Sequence, residues 1–267
     1  MNLFYREMGE GFPLVILHGL YGSSDNWMSI GRELSRHFRV ILVDQRNHGK
    51  SPHSMQHTYP DMANDLLELL DVLDLASVDI VGHSMGGKTA MLFAQLNPYR
   101  VRKLVVVDIS PAGYDLLQKT DESRHEDLHR KLITAMSLLK PELATSRQQL
   151  DDIMAMNIPE ARIRHFLLKN IKRDEEGFFR WTINVEAIIN NLPSIMGTIF
   201  RDDKRLPVAT PTLFVKGEKS NYITQNDEEW IRRWFSNNKM QIIPNVGHWL
   251  HAEAPTKLIS LINTFLL

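Results

Sequence analysis

Short apolar runs rich in valine, isoleucine and leucine recur along the chain at Leu14–Leu17, Val40–Val43, Val78–Val81, Leu104–Val107, Thr212–Val215 and Met240–Ile243. Runs this short, without polar alternation, predict strands buried on both faces, as in a parallel sheet. Helical spacing fills the intervals between them. Leu66, Leu67, Leu70, Leu73 and Leu75 form a leucine-rich pattern after Pro60, Ser84–Leu96 predicts a helix ended by Asn97-Pro98, and Pro255–Leu266 predicts a closing one. Strand, helix, strand in that order requires right-handed crossovers. The expected fold class is therefore α/β, with an open, mostly parallel, doubly wound sheet whose chemistry lies beyond the carboxyl ends of its strands.

The rhythm stops between about Pro111 and Pro211. There the chain is more polar, and its apolar positions fall at helical spacing in Leu128, Leu132, Ile133, Met136 and Leu139, then in Ile163, Phe166, Leu167 and Ile171. The expected organisation is a core of residues 1–110 and 211–267 with a helical insertion, 111–210, lying over the active edge of the sheet as a cap. The alternative is that these apolar residues simply pack against the side of the core.

Composition narrows the class. A chain of 267 residues with 43% hydrophobic content buries a full core as one catalytic domain with an insertion. Lysine and arginine total 31 against 32 acidic residues, so no strong field draws in nucleic acid or an anionic membrane, and a small neutral substrate fits better. The absence of cysteine excludes disulfides, thiolate metal sites and a cysteine nucleophile. Leu14–Leu17 is too short and too late for a signal-peptide core, and no run approaches the roughly 18 apolar residues of a membrane span, so the expectation is a cytoplasmic protein without stable membrane insertion.

The third apolar run leads into Gly82-His83-Ser84-Met85-Gly86, a Gly-x-Ser-x-Gly pentapeptide between a strand and a helix pattern. In that context it reads as a nucleophile elbow: the turn strains the serine backbone, side chains two residues either side would collide, and both positions favour glycine. Ser84 is the expected nucleophile, and the free amides at the start of the following helix point to where an oxyanion develops. Upstream, His18-Gly19-Leu20 follows the first buried strand, so the backbone N–H groups of Leu20 and Met85 are the expected oxyanion-hole pair. His18 and His83 read as structural groups near the turns.

Near the chain's end, Pro244-Asn245-Val246-Gly247-His248-Trp249 follows the last apolar run, and a histidine in this position suits a general base that takes the serine proton and returns it to a leaving group. His251 is the competitor. The acid is less direct, because the loop after Thr212–Val215 reads Gly217-Glu218-Lys219-Ser220-Asn221-Tyr222, with serine where aspartate usually stands in this kind of site. Val107-Asp108-Ile109-Ser110-Pro111 offers another carboxylate at the end of the neighbouring strand. Asp108 is the expected acid and Ser220 an accessory hydrogen-bond partner, the alternative for Asp108 being a cap for the segment that follows.

Together, His18-Gly19-Leu20-Tyr21-Gly22-Ser23, Asp44-Gln45-Arg46-Asn47-His48-Gly49, Gly82-His83-Ser84-Met85-Gly86-Gly87-Lys88, Asp108-Ile109-Ser110-Pro111 and Gly247-His248-Trp249 resemble the YbfF-type esterases of the α/β-hydrolase superfamily. The likeness spans the chain and is weak across the cap. It implies the α/β-hydrolase fold with a helical cap inserted after the sixth strand of the usual count. It also implies activity on short acyl esters and thioesters, including acyl-CoA-like substrates, with the acid after that sixth strand and a serine at the usual acid position. Ser110 departs from the alanine that many members carry.

Arg46 or His48 either contacts substrate or anchors its loop, with Arg46 placed to hold Asp44. Phe178, Phe179 and Trp181 either line an acyl pocket or pack within the cap. His53 and His57, and His125 and His129, have i, i+4 spacing, but the first pair sits in a loop around a proline and the second lacks the glutamate of a zinc-protease motif. No metal is expected, and with no glycine-rich phosphate loop no cofactor is expected either. The expected function is an esterase or thioesterase acting through an acyl-enzyme. Alternatives are a carbon–carbon bond hydrolase or haloperoxidase-like relative, and a hydrolase-shaped ligand-binding or partner-stabilising protein, against which the intact elbow argues.

Overall fold

The computed structural model describes residues 1–114, 123–200 and 206–267, with side chains in the second stretch from Leu128 onward. The strands are β1 (Tyr5–Met8), β2 (Phe12–Leu17), β3 (Phe38–Val43), β4 (Val78–His83), β5 (Val101–Val107), β6 (Ile171–Arg173), β7 (Phe179–Trp181), β8 (Thr212–Gly217) and β9 (Asn238–Ile243). Seven of them form one sheet in the order β1-β3-β2-β4-β5-β8-β9. All six apolar runs of the sequence lie on these strands, and each neighbouring pair from β3 to β9 is parallel. Edge strand β1 was not among the expected strands and runs antiparallel to β3. Its four residues, Tyr-Arg-Glu-Met, are partly exposed and carry no apolar run to betray them.

The helices are α1 (Met28–Leu34), α2 (Tyr59–Val72), α3 (Met85–Leu96), α4 (Ser123–Leu138), α5 (Arg147–Ala155), α6 (Ala161–Leu168), α7 (Val185–Met196), α8 (Gln225–Trp234), α9 (Leu250–Glu253) and α10 (Pro255–Leu266). Alternate residues of each central strand point to opposite faces, so the sheet needs two apolar layers. On one face, Val15, Leu17, Ile80, Val106 and Phe214 share a buried cluster with Leu66 and Leu70 of α2, Met91 and Phe93 of α3 and Ile231 of α8. On the other, Leu14, Ile16, Val81, Val105 and Leu213 pack with Ile30 and Leu34 of α1 and Leu258 and Ile262 of α10. Burial of this kind, at about 25 cal/mol per Å² of apolar surface, is the main force holding the layers together.

The chain leaves β2 for β3 on one side and returns to β4 on the other, which opens a crevice between the carboxyl ends of β2 and β4. Between β5 and β8 the described elements are α4 to α7 and the β6–β7 hairpin. Helical spacing was right for most of this stretch. It fails at Ile171, which opens β6, where its side chain is buried and the next two residues of the hairpin strand are exposed. Among the described residues, no helix is long and apolar enough to cross a membrane.

Lys88 holds the base of this stretch to the core. Fully buried on α3, it donates from Nζ to the carbonyl oxygens of Ala112 at 2.6 Å and Gly197 at 2.8 Å. Desolvation pulls its ammonium down to about 7, opposed by the charge of Asp227. Tyr59 of α2 adds a bond from its hydroxyl to the Ile195 carbonyl at 2.8 Å.

Candidate active site

Ser84 stands at the junction of β4 and α3 with φ 51° and ψ −120°, a left-handed conformation that a non-glycine residue holds only when its surroundings impose it. The imposition comes from both sides. Its N–H donates to the Val107 carbonyl at 3.0 Å, continuing the sheet ladder, and its carbonyl accepts from Lys88 N–H at 3.1 Å, starting the helix. The turn closes so tightly that a Cβ on Gly82 would sit 2.4 Å from the Gly86 carbonyl oxygen, and one on Gly86 would sit 2.5 Å from that of Leu17. Both glycines of the pentapeptide are thus required by space.

Asp108, directly after β5, is fully buried and also has a positive φ, 52°. Its N–H donates to the Val215 carbonyl at 2.8 Å, which fixes the residue against β8. Three donors converge on its carboxylate. Gly217 N–H reaches Oδ1 at 3.0 Å, His248 Nδ1 lies 2.8 Å from Oδ2, and the Ser220 hydroxyl donates to the same Oδ2. Ser220 in turn accepts from Tyr222 N–H at 3.3 Å. With a carboxylate on Nδ1, that nitrogen of His248 carries the proton, and Nε2 is left with the lone pair a general base needs.

Ser84, His248 and Leu20 all line one cavity of about 450 Å³. Met85 is the first residue of α3, so its amide belongs to the helix end that lacks intrahelical acceptors. His251 reaches the same cavity, but its ring stacks on Trp27 with centroids 5.2 Å apart, while His248 is the ring bonded to Asp108. Burial, then the neighbouring His248, draws His251 down to about 4.

The remaining histidines of the turns are hydrogen-bonded supports. Gln45 N–H donates to His18 Nε2 at 3.0 Å, which puts the ring proton on Nδ1, facing the Gly19 carbonyl at 2.8 Å. His48 repeats the pattern between Tyr21 N–H and the Arg46 carbonyl. His83 donates from Nε2 to the His248 carbonyl at 2.9 Å and so braces the backbone of His248. Burial holds all three below the ordinary histidine range. His57 packs on His48 with centroids 5.5 Å apart, away from the cavity lining, and the His125 side chain lies outside the described residues.

One expectation changes and one open alternative is decided. Arg46 does not hold Asp44: its guanidinium grips Asp65 of α2 with two bonds, of 2.6 and 2.9 Å, and the Gln56 carbonyl at 3.1 Å. Asp44 instead accepts the backbone N–H groups of Ser24 at 2.6 Å, from the segment after β2, and of Lys50 at 2.9 Å, from its own loop. Arg46 therefore anchors its loop. Phe178, Phe179 and Trp181 are absent from the cavity lining. Phe179 is buried under the Arg173 guanidinium, 4.2 Å from its ring centroid, and joins the main apolar cluster with Trp181 packed against it, while Phe178 is exposed.

The aromatic wall comes from elsewhere: Trp27, Phe166, Tyr222 and Trp249, joined by Leu132 and Ile163. Leu132 belongs to α4 and Ile163 and Phe166 to α6, so the stretch between β5 and β8 supplies part of the enclosure. Tyr222 is not among the expected site residues, yet its ring lies on that of His248 at 3.8 Å between centroids and 20° between planes. Its only signal was an aromatic residue two positions beyond Ser220.

A family model described as alpha/beta hydrolase fold matches residues 13–255. The chain is 39% identical to the sn-1-specific diacylglycerol lipase ABHD11 of Danio rerio, over all of this chain and 83% of that one. It is 33% identical to Esterase YbfF of Escherichia coli (strain K12), over 95% of this chain and 92% of that one. Among solved structures, a marine microorganism esterase superposes with a TM-score of 0.93 at 46% identity, covering 99% of each chain.

Proposed function

The chain belongs to the α/β-hydrolase fold family, and from that premise we propose that it is a serine esterase, hydrolysing small acyl esters or thioesters through an acyl-enzyme on Ser84. The observation that carries this reading is the 2.8 Å bond between Asp108 Oδ2 and His248 Nδ1, which leaves Nε2 as the basic nitrogen of a ring that shares a cavity with Ser84. The names of the relatives, an esterase and a diacylglycerol lipase, agree with ester chemistry.

The steps follow from the groups. Ser84 Oγ attacks the acyl carbonyl carbon while its proton passes to His248 Nε2, and Asp108 stabilises the imidazolium that forms. The carbonyl oxygen takes up the negative charge and accepts from the Leu20 and Met85 N–H groups. Collapse breaks the bond to the leaving oxygen or sulfur, which departs with the proton from Nε2. Water then repeats the sequence on the acyl-serine, giving a carboxylic acid and restoring the hydroxyl. Ser220 acts as an accessory that orients the Asp108 carboxylate.

Residues 111–210 act as a cap in this reading, supported by the contribution of α4 and α6 to the cavity wall. The apolar lining suits the acyl chain. Arg162, Lys219 and Glu253 all line the cavity, and Arg162 is paired with Glu253 at 3.0 Å, so the lining carries no unopposed basic patch. Acyl-CoA-like thioesters enter the proposal through the resemblance to the YbfF-type esterases. A cytoplasmic location belongs to the same proposal.

A panel of p-nitrophenyl esters and acyl-CoA thioesters of graded chain length tests the reading, together with labelling by a fluorophosphonate. Turnover of short acyl groups and labelling lost in Ser84→Ala support it. Absence of label on folded wild-type protein overturns it.

A further inference from the structure

The imidazole of His248 is held on more than its Asp108 side. Tyr222, in the loop that follows β8, lies almost flat on it, 3.8 Å between centroids and 20° between planes. On His83 the contact is looser, 4.7 Å and 37°. His83 is kept neutral by burial, by His248 and by His251, so it offers no charge to oppose an imidazolium next to it. An aromatic face presents negative potential to a cation, and a face-on ring favours the protonated imidazole that forms as Ser84 gives up its proton. The stack therefore acts on the reacting state and also blocks the ring from swinging off the Asp108 bond.

Tyr222 is itself fastened to elements between β5 and β8. Its hydroxyl lies 3.0 Å from Nε2 of His129 on α4, and its ring meets the edge of Tyr114 at 5.6 Å and 85°. His129 in turn packs against Tyr21, with centroids 5.7 Å apart, on the loop that follows β2. On its other side the Tyr222 backbone N–H donates to Ser220 Oγ, which donates to Asp108. One residue thus touches the catalytic ring, the partner of the acid, and helix α4. We propose that Tyr222 is a positioning residue for His248, and that its hydroxyl bond to His129 makes the placement of the base depend on the seating of α4 over the cavity. This rests on the esterase reading above.

The test compares Tyr222→Leu, Tyr222→Phe, His129→Ala and the double variant Tyr222→Phe/His129→Ala with wild type and Ser84→Ala. The measurements are kcat and KM on one p-nitrophenyl ester, the single-turnover acylation rate, and thermal stability. Tyr222→Leu should lower kcat and the acylation rate by about 30- to 100-fold with KM changed less than about 3-fold, because the lost interaction belongs to the transition state. Tyr222→Phe should restore most of that rate, falling short of wild type by about 3- to 10-fold. His129→Ala should match Tyr222→Phe, and the double variant should be no slower than either single one, since both remove the same bond.

A Tyr222→Leu enzyme with kcat near wild type and a raised KM would make Tyr222 a wall of the substrate pocket and nothing more, and would overturn the proposal. Multiplying losses in the double variant would overturn the link to α4, even if Tyr222→Leu fails to fold. If Ser84→Ala keeps wild-type activity in the same assay, it is the esterase reading that fails.

Discussion

Asp108 and His248 meet at 2.8 Å although their strands, β5 and β9, are not neighbours in the sheet. Strand β8 runs between them, and it is the loop after β8 that furnishes Gly217 N–H and Ser220 to the same carboxylate. Asp108 reaches across the position where an acidic residue was to be expected, and the serine there is its donor. The positive φ of Asp108 turns the residue out of β5 in the direction that makes this reach.

The two hydrogen-bonding partners should therefore differ sharply on substitution. Asp108→Asn presents an amide to Nδ1, favours the wrong imidazole tautomer, and should lower kcat by on the order of 10³- to 10⁴-fold with little change in stability. Ser220→Ala removes a neutral donor worth about 1 kcal/mol and should cost roughly ten-fold. Steady-state kinetics on both folded variants decide the point. A larger loss in Ser220→Ala than in Asp108→Asn would remove Asp108 from its role.

Ser84→Ala should abolish ester turnover, by on the order of 10⁴-fold or more, while the fold is retained, since the lost hydroxyl is no part of the apolar core. Circular dichroism establishes folding, and a residual rate above about a tenth of wild type contradicts the nucleophile assignment.

Stability should fall as the medium is acidified through the ordinary histidine range. His57, held at about 3 by burial and by Arg46, and His251, at about 4, are neutral in the folded chain where the unfolded chain already binds protons. Between about pH 6.5 and those values the unfolded state carries more protons, so each group removes up to about 1.4 kcal/mol per pH unit as pH falls. Urea unfolding at pH 7, 6 and 5 should show this decline, and His57→Gln should lessen its slope. An unchanged slope in that variant would show that His57 ionises similarly in both states.

Lys88→Met should destabilise the protein, because the carbonyls of Ala112 and Gly197 lose their shared donor inside the structure. Each buried acceptor left unpaired costs about 1–3 kcal/mol, partly offset by no longer burying a polar amino group. A net loss of about 2 kcal/mol or more is expected in urea unfolding at pH 8. A variant as stable as wild type would mean that the two carbonyls find other donors.

Local chemistry was written plainly in the sequence. Six apolar runs marked six of the seven strands of the main sheet, since burial on both faces demands continuous apolar residues. Gly82, Ser84 and Gly86 marked the elbow because only glycine fits where a Cβ would meet backbone oxygen at 2.4–2.5 Å. Such features depend on near neighbours in the chain, and near neighbours are visible in a sequence.

What depended on tertiary structure was the choice among partners. Arg46 had Asp44 two residues away and took Asp65 on α2; the cavity took Trp27, Phe166 and Trp249 in place of Phe178, Phe179 and Trp181. The ring of Tyr222 came to lie on that of His248, and its hydroxyl on His129, 93 residues away. Hydrogen bonds and ring contacts act over a few ångströms with strict direction, whereas spacing along the chain sets only what each segment is able to offer. Only the packing of the sheet and the elements between β5 and β8 brings those distant groups within that range.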